Sequence, residues 1–263
     1  MLLQQGLSDF LLILIIILGF LGAFLDSSMG MGYGLLTPLL LLLGFNPLIV
    51  VPVLLISQMA VGLSGTLFHS FYENVDLSSR KTEDVKVSLL STVMGLISMT
   101  FAFLFIVNVN EFILTLYISL LMVLAGILMF PQIKFGFSWK RMVLVSGWAS
   151  FNKAVSGGGY GPVMTIGQIT SGREARESVA VTDLSEALLA GYGFFLYFIC
   201  HQYCEFDFIA IIELSLIMII SGICATPLGP LITKKLEKKY AKRIIGSASI
   251  IIGIFTLIRL LCV

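Results

Sequence analysis

Asn152-Lys153-Ala154-Val155-Ser156-Gly157-Gly158-Gly159-Tyr160-Gly161-Pro162 interrupts a strongly apolar segment, and its reading decides the fold. Three consecutive glycines each cost a helix about 1 kcal/mol relative to alanine, so the helix that arrives here ends here. Pro162 lacks an N–H and has a fixed φ, which suits the first turn of a new helix. A second stretch, Asp26-Ser27-Ser28-Met29-Gly30-Met31-Gly32-Tyr33-Gly34, interrupts the first apolar segment in the same way. The local pattern is helix, break, new helix, twice over, at membrane depth.

The surroundings of both breaks set that depth. Of 263 residues, 58% are hydrophobic and 12% charged, where a soluble domain carries roughly 25% charged residues. Several apolar runs reach the roughly 20 residues needed to cross a hydrocarbon core. The fold class expected is an all-α polytopic membrane protein, with the lipid bilayer as its surroundings. A net charge of +1 gives no reason to expect a nucleic-acid partner. No Lys or Arg precedes the apolar run 7–23, so it reads as a retained transmembrane helix and not as a signal peptide. Four cysteines are too few for a disulfide framework. Cys200-His201-Gln202-Tyr203-Cys204-Glu205 has the wrong order for haem attachment and no second ligand cluster for zinc, so it reads as a loop. No metal and no other cofactor is expected. The glycine words lack a preceding strand and the P-loop Lys-Ser/Thr, and no Ser/His/Asp arrangement is evident, so an enzyme is not expected.

Helices are expected over 7–25, 35–43, 48–71, 85–107 and 111–130, then over 140–155, 162–169, 176–199, 208–232 and 240–261. The two sets look like copies. Gly30–Gly34 lies over Gly157–Gly161 at an offset of 127, Ser57-Gln58 over Ser185-Glu186 at 128, and Gly126-Ile127 over Gly253-Ile254 at 127. Asn74-Val75-Asp76 echoes Glu205-Phe206-Asp207 at 131. Residues 1–131 form the first expected repeat and 132–263 the second.

Positive charge then orients the chain. If each broken element returns to the side it came from, every half has five segments. The cytoplasmic ends then hold Arg80, Lys81, Lys86, Lys134, Lys140, Arg141, Arg173, Arg176, Lys234, Lys235, Lys238, Lys239, Lys242 and Arg243, fourteen of the sixteen Lys and Arg. Merging each broken element into one spanning helix would instead divide them six against eight. Five segments per half also insert the second half upside down relative to the first, the inverted-repeat construction of secondary transporters. Both termini are then expected on the extracytoplasmic side of the cell membrane.

Irregular backbone at this depth is tolerated where it lines a cavity or is packed in protein. A helix N-terminus with free amides suits an anion, and two such ends facing each other would make one central anion pocket. The candidate substrate-binding residues are Ser27, Ser28, Gly30, Gly32, Gly34, Gln58, Asn152, Lys153, Ser156, Gly157, Gly158, Gly159, Gly161 and Gln168. The plainer alternative is that the glycines only permit close helix packing. Lys153 at one break would balance the charge of an anionic substrate, and Asp26 stands at nearly the same place in the other; a Lys153–Asp26 ion pair tying the halves together is the structural alternative. Asp183 and Glu186, three apart, share a helix face. Glu186, Asp183 and Asp26 are the candidate proton-coupling groups, Glu186 first among them. For Asp183, pairing with Arg173 or Arg176 is the alternative. His69 reads as interfacial.

These same words resemble the TauE/SafE family of sulfite-exporter-like permeases. They are Asp26–Gly34 with Thr37-Pro38, Val51-Pro52, Ser57-Gln58, His69 and Asn74-Val75-Asp76-Leu77, then Ser156–Pro162, Gly167-Gln168, Ser171-Gly172, Ser185-Glu186 and Ala225-Thr226-Pro227-Leu228-Gly229. The resemblance implies export or uptake of a small sulfur-containing anion, such as sulfite, a sulfonate like sulfoacetate, or thiosulfate. The expected function is a secondary transporter working by alternating access. The alternative is a passive anion channel with the glycine amides as its filter. Oligomeric state, a homo-oligomer included, is left open by the sequence.

Overall fold

The apolar runs do become helices. A computed structural model of the chain describes residues 9–79, 82–106, 109–128, 130, 136–200, 207–233 and 238–262. Among the described residues there are eleven helices and no strand: α1 (Asp9–Met29), α2 (Gly32–Leu42), α3 (Pro47–Phe71), α4 (Glu83–Ile106), α5 (Glu111–Leu128), α6 (Trp139–Ser156), α7 (Tyr160–Thr170), α8 (Ala175–Cys200), α9 (Phe208–Ala225), α10 (Leu228–Thr233) and α11 (Lys238–Cys262). Six of them, α1, α3, α4, α5, α8 and α9, are long and apolar enough to cross a membrane. The loop between α8 and α9, with His201 and Cys204, lies outside the described residues, as do Arg80, Lys81, Lys134, Lys234 and Lys235.

Four of the helix boundaries depart from expectation in ways that matter for the breaks and the core. Helix α1 continues through Asp26-Ser27-Ser28, so its break falls at Gly30-Met31. The serines do not stop it because Ser27 donates back to the Ala23 carbonyl (2.8 Å) and Ser28 to that of Leu25 (3.4 Å), which satisfies both hydroxyls inside the helix. Helices α2 and α7 start earlier than expected, at Gly32 and Tyr160. The single helix expected over 208–232 is split into α9 and α10. Pro227 has no N–H to donate, and Thr226 turns its hydroxyl onto the Ile223 carbonyl at 2.8 Å.

Polarity is arranged for lipid. Leu67, Phe71, Phe101, Leu144 and Ile220 are exposed, while Asp26, Gln58, His69, Asn152, Lys153, Asp183 and Glu186 are buried. In water this distribution would leave large apolar patches unsatisfied; in hydrocarbon it leaves these ionisable and amide groups facing protein. Helix α6 shows the logic on one element. Trp148 and Leu144 face out, and Ser146, Ser150, Asn152, Lys153 and Ser156 face in.

The short helices fold back on the long ones. In α2, Gly32 lies against the backbone of Gly22 and Asp26, and Leu36 against Gly22. In α7, Gly167 lies against Val145 near the start of α6. Each pair is therefore a helical hairpin with both open ends at one side. Helix α3 packs on α8 and α5 on α11, while α4 packs on α6 and α8, and α9 on α1 and α3.

Candidate anion site at the crossing of two helix breaks

Each hairpin turns on a glycine in the left-handed region: Gly30 at φ 70° and Gly157 at φ 75°, where a side chain would be strained. The short helices also end alike, on Gly44 at φ 96° and Gly172 at φ 94°. The two turns cross in contact. A Cβ on Gly158 would strike the backbone of Tyr33 and Gly34, a Cβ on Gly161 would strike the Gly30 carbonyl, and one on Gly34 would sit 3.2 Å from the Gly158 carbonyl. At Gly158 and Gly161 no side chain fits between the two backbones of this crossing. Thr37 of α2 donates to the Ser156 carbonyl at 2.8 Å, and Thr165 of α7 to the Gly30 carbonyl at 3.4 Å. Each short helix thus answers a carbonyl at the end of the opposite long helix, one of the groups a helix terminus leaves unpaired.

The amides at the two breaks are treated differently. Asp26 accepts from the Tyr33 N–H at 3.3 Å, so the first turn of α2 already faces a carboxylate of its own chain, the charge its dipole favours. At the second break Ser156 Oγ accepts from the Gly159 N–H at 2.8 Å, so α7 starts against a neutral hydroxyl.

Four buried side chains from four helices connect the breaks. Gln58 of α3 donates to Asp26 Oδ2 of α1 at 2.7 Å. Its carbonyl accepts from Lys153 Nζ of α6, and Lys153 Nζ also lies 3.1 Å from Glu186 Oε1 of α8. The order along the chain is carboxylate, amide, ammonium, carboxylate, each donor facing an acceptor. A direct Lys153–Asp26 pair is not formed; Gln58 stands between them. Glu186 Oε2 has no hydrogen-bond partner and lies 3.2 Å from where a Cβ on Gly161 would be. A buried ion pair of this kind costs more in lost hydration than it returns unless its remaining positions are filled, and this one leaves an acceptor open beside the break.

The other sequence-predicted residues are placed as follows. Asn152 accepts from Tyr117 Oη at 2.5 Å, and its amide nitrogen is buried without a partner. Gln168 sits in the last turns of α7 and bonds to Ser178 and Thr182 of α8, apart from the Lys153 network. Arg173 pairs with Asp84, with Glu177 at 3.9 Å, and Arg176 with Glu174 at 2.9 Å. Asp183 pairs with neither arginine; His69 Nε2 lies 3.5 Å from its Oδ2. His69, near the end of α3, is fully buried within the protein. Thr37, Tyr117 and His69 are the contributors that sequence reasoning undervalued. Only their adjacency to the repeated words, Thr37 four residues past Tyr33 and His69 eleven past Gln58, signalled them.

Six helices among the described residues that are long and apolar enough to span, together with an inward polar core, define a multi-pass membrane protein. The chain belongs to the sulfite exporter TauE/SafE family, whose model matches residues 15–256. No curated protein and no solved structure matches the chain.

Proposed function

We propose that this protein is a secondary transporter that carries one small sulfur oxyanion or sulfonate, such as sulfite or sulfoacetate, across the cell membrane by alternating access. The observation that carries this is Lys153: a fully buried cation in the last turn of α6, held by Glu186 and Gln58 beside the second break. An anion entering there meets the ammonium, the open side of Glu186 and the N-terminal turn of α7. The first break contributes no second anion seat, because Asp26 already fills it.

The mechanism follows from competition. Substrate and Glu186 both need Lys153, and a carboxylate displaced into an apolar core is costly unless it takes a proton. Anion binding at Lys153 is therefore linked to proton uptake at Glu186, which is a symport relation. Asp26 stays bound to Gln58 and Tyr33 throughout and keeps Gln58 oriented with its carbonyl toward Lys153.

The halves, 1–131 and 132–263, act as two inverted repeats of five segments. Three features support this: the two left-handed glycine pairs at offsets 127 and 128, the reciprocal Thr37 and Thr165 contacts, and helix contacts that recur when halves are exchanged, α4–α6 with α9–α1 and α3–α9 with α8–α4. The basic loops then face the cytoplasm and both termini the outside.

Proteoliposomes containing the protein are expected to take up sulfite or sulfoacetate faster than empty ones, and an inward proton gradient is expected to drive that uptake. Equal flux with and without protein for every sulfur oxyanion tried overturns the substrate assignment. Gradient-driven flux that survives Glu186→Gln overturns the coupling role.

A further inference from the structure

Three buried carboxylates approach the centre of the molecule, and two have conspicuous partners. Asp26 accepts from Gln58 and from the Tyr33 amide. Glu186 accepts from Lys153. Asp183, on the same face of α8 as Glu186, is buried and accepts nothing: neither of its oxygens has a hydrogen-bond partner.

The imidazole beside it, that of His69 at 3.5 Å, is neutral and bonded elsewhere. His69 Nε2 lies 2.8 Å from the Ser27 carbonyl, which can only accept, so this nitrogen carries the ring proton. His69 Nδ1 lies 3.1 Å from the side-chain nitrogen of Asn74, which also donates to the Pro230 carbonyl at 2.9 Å. An amide nitrogen only donates, so Nδ1 is the acceptor. Both ring nitrogens are engaged in the neutral tautomer, and the network assigns it.

The other charged or titratable groups around Asp183 are accounted for element by element. On α1, Asp26 is a like charge, and on α2 the buried Tyr33 hydroxyl makes no hydrogen bond to Asp183. On α3, Gln58 is neutral and committed. On α6, Lys153 is held by Glu186 and Gln58. On α7, Tyr160 is engaged with Ser185 at 2.8 Å. On α4, Asp84 is bound to Arg173. Helix α10 offers no titratable side chain. An ionised carboxylate in this setting would have neither a counter-charge nor a donor, a state buried groups avoid by taking a proton. Close approach of α3 seals the site, for a Cβ on Gly65 would lie 2.8 Å from Asp183 Oδ2.

We infer that Asp183 carries a proton of its own, separate from the one exchanged at Lys153–Glu186, in a seat shaped by His69 between one helix of each half. Its release and uptake as α3 and α8 separate make it a second coupling group; this role rests on the transport reading above, while the presence of the proton does not. His69 is a positioning residue, holding Ser27 and Asn74 while leaving Asp183 without a donor.

Infrared spectra of the full chain in liposomes test this directly. A C=O stretch from a protonated carboxyl in apolar surroundings is expected; it vanishes in Asp183→Asn and persists in Glu186→Gln and Asp26→Asn. In the unaltered protein the band shifts when aspartate carboxyls carry ¹³C and stays when glutamate carboxyls do, which keeps the test decisive if Asp183→Asn fails to fold. A band that follows the glutamate label, or no such band, overturns the proposal. His69→Gln, which keeps a donor toward Ser27, is expected to move the band, and an unmoved band removes His69 from the role. In flux measurements with sulfoacetate, Asp183→Asn lowers the steady accumulation ratio by about tenfold per unit of pH gradient, the worth of one coupled proton; an unchanged ratio overturns the coupling role. If neither sulfite nor sulfoacetate flux occurs while the aspartate band is present, the substrate assignment above falls and the proton seat stands.

Discussion

Lys153 sits where an ammonium has no water to fall back on, and its two contacts, Glu186 and Gln58, come from helices of different halves. Removing one partner of a buried pair strands the other charge, at about 3–5 kcal/mol. Lys153→Gln is therefore expected to lower the thermal midpoint in detergent sharply and to abolish anion flux. The double variant Lys153→Gln with Glu186→Gln removes both charges and is expected to recover most of the lost stability while remaining inactive. That pattern separates a functional cation from a structural one, and a double variant that regains flux would show that Lys153 only holds the helices together. The coupling between the two substitutions is read by the double-mutant cycle, since residues in contact do not add.

At the scale of elements, the hairpins α1–α2 and α6–α7 are held by backbone laid against backbone. Gly158 faces the carbonyl of Tyr33 and the amide of Gly34 with no flexible side chain able to give way. Overpacking costs about 1–3 kcal/mol where a core can relax, and this crossing cannot. Gly158→Ala is expected to reduce the yield of folded protein and its flux. Gly147, in α6, has open space where a Cβ would go, so Gly147→Ala is expected to stabilise the same helix by up to about 1 kcal/mol. Thermal melts of the two variants side by side check the distinction; equal effects would mean that composition and not the crossing matters.

For the whole molecule, the re-entrant reading makes a sidedness prediction. Lys140 at the start of α6 and Glu174 just beyond α7 flank one hairpin, and that reading puts Asn110, before α5, at the other face. In a chain with its native cysteines replaced by serine, Lys140→Cys and Glu174→Cys are expected to react with an impermeant thiol reagent from the same side, the cytoplasm, and Asn110→Cys from the opposite side. Labelling of 140 and 174 from opposite sides would mean that the second break lies within a spanning segment. All three positions are exposed, so accessibility does not limit the result.

The apolar runs and the two glycine words are enough to specify an all-helical membrane chain broken at two points, because hydrocarbon thickness and the helical cost of glycine act locally. The placement of Lys153, Glu186, Gln58 and Asp26 near the breaks could also be read from their positions along helices. Partner choice could not. Asp26 was legible as an intramembrane charge, yet that its carboxylate faces the first turn of α2 depends on α1 running on through Ser27 and Ser28, a balance of back-bonded hydroxyls. His69 was read as interfacial from its distance along α3; only the crossing of helices shows Ser27, Asn74 and Asp183 closing around it. Arg173 chose Asp84 over Asp183 because the α7–α8 turn lies against the start of α4. Periodicity along one chain fixes which face a residue occupies, while the register and close approach of α1, α3, α6 and α8 decide what that face meets.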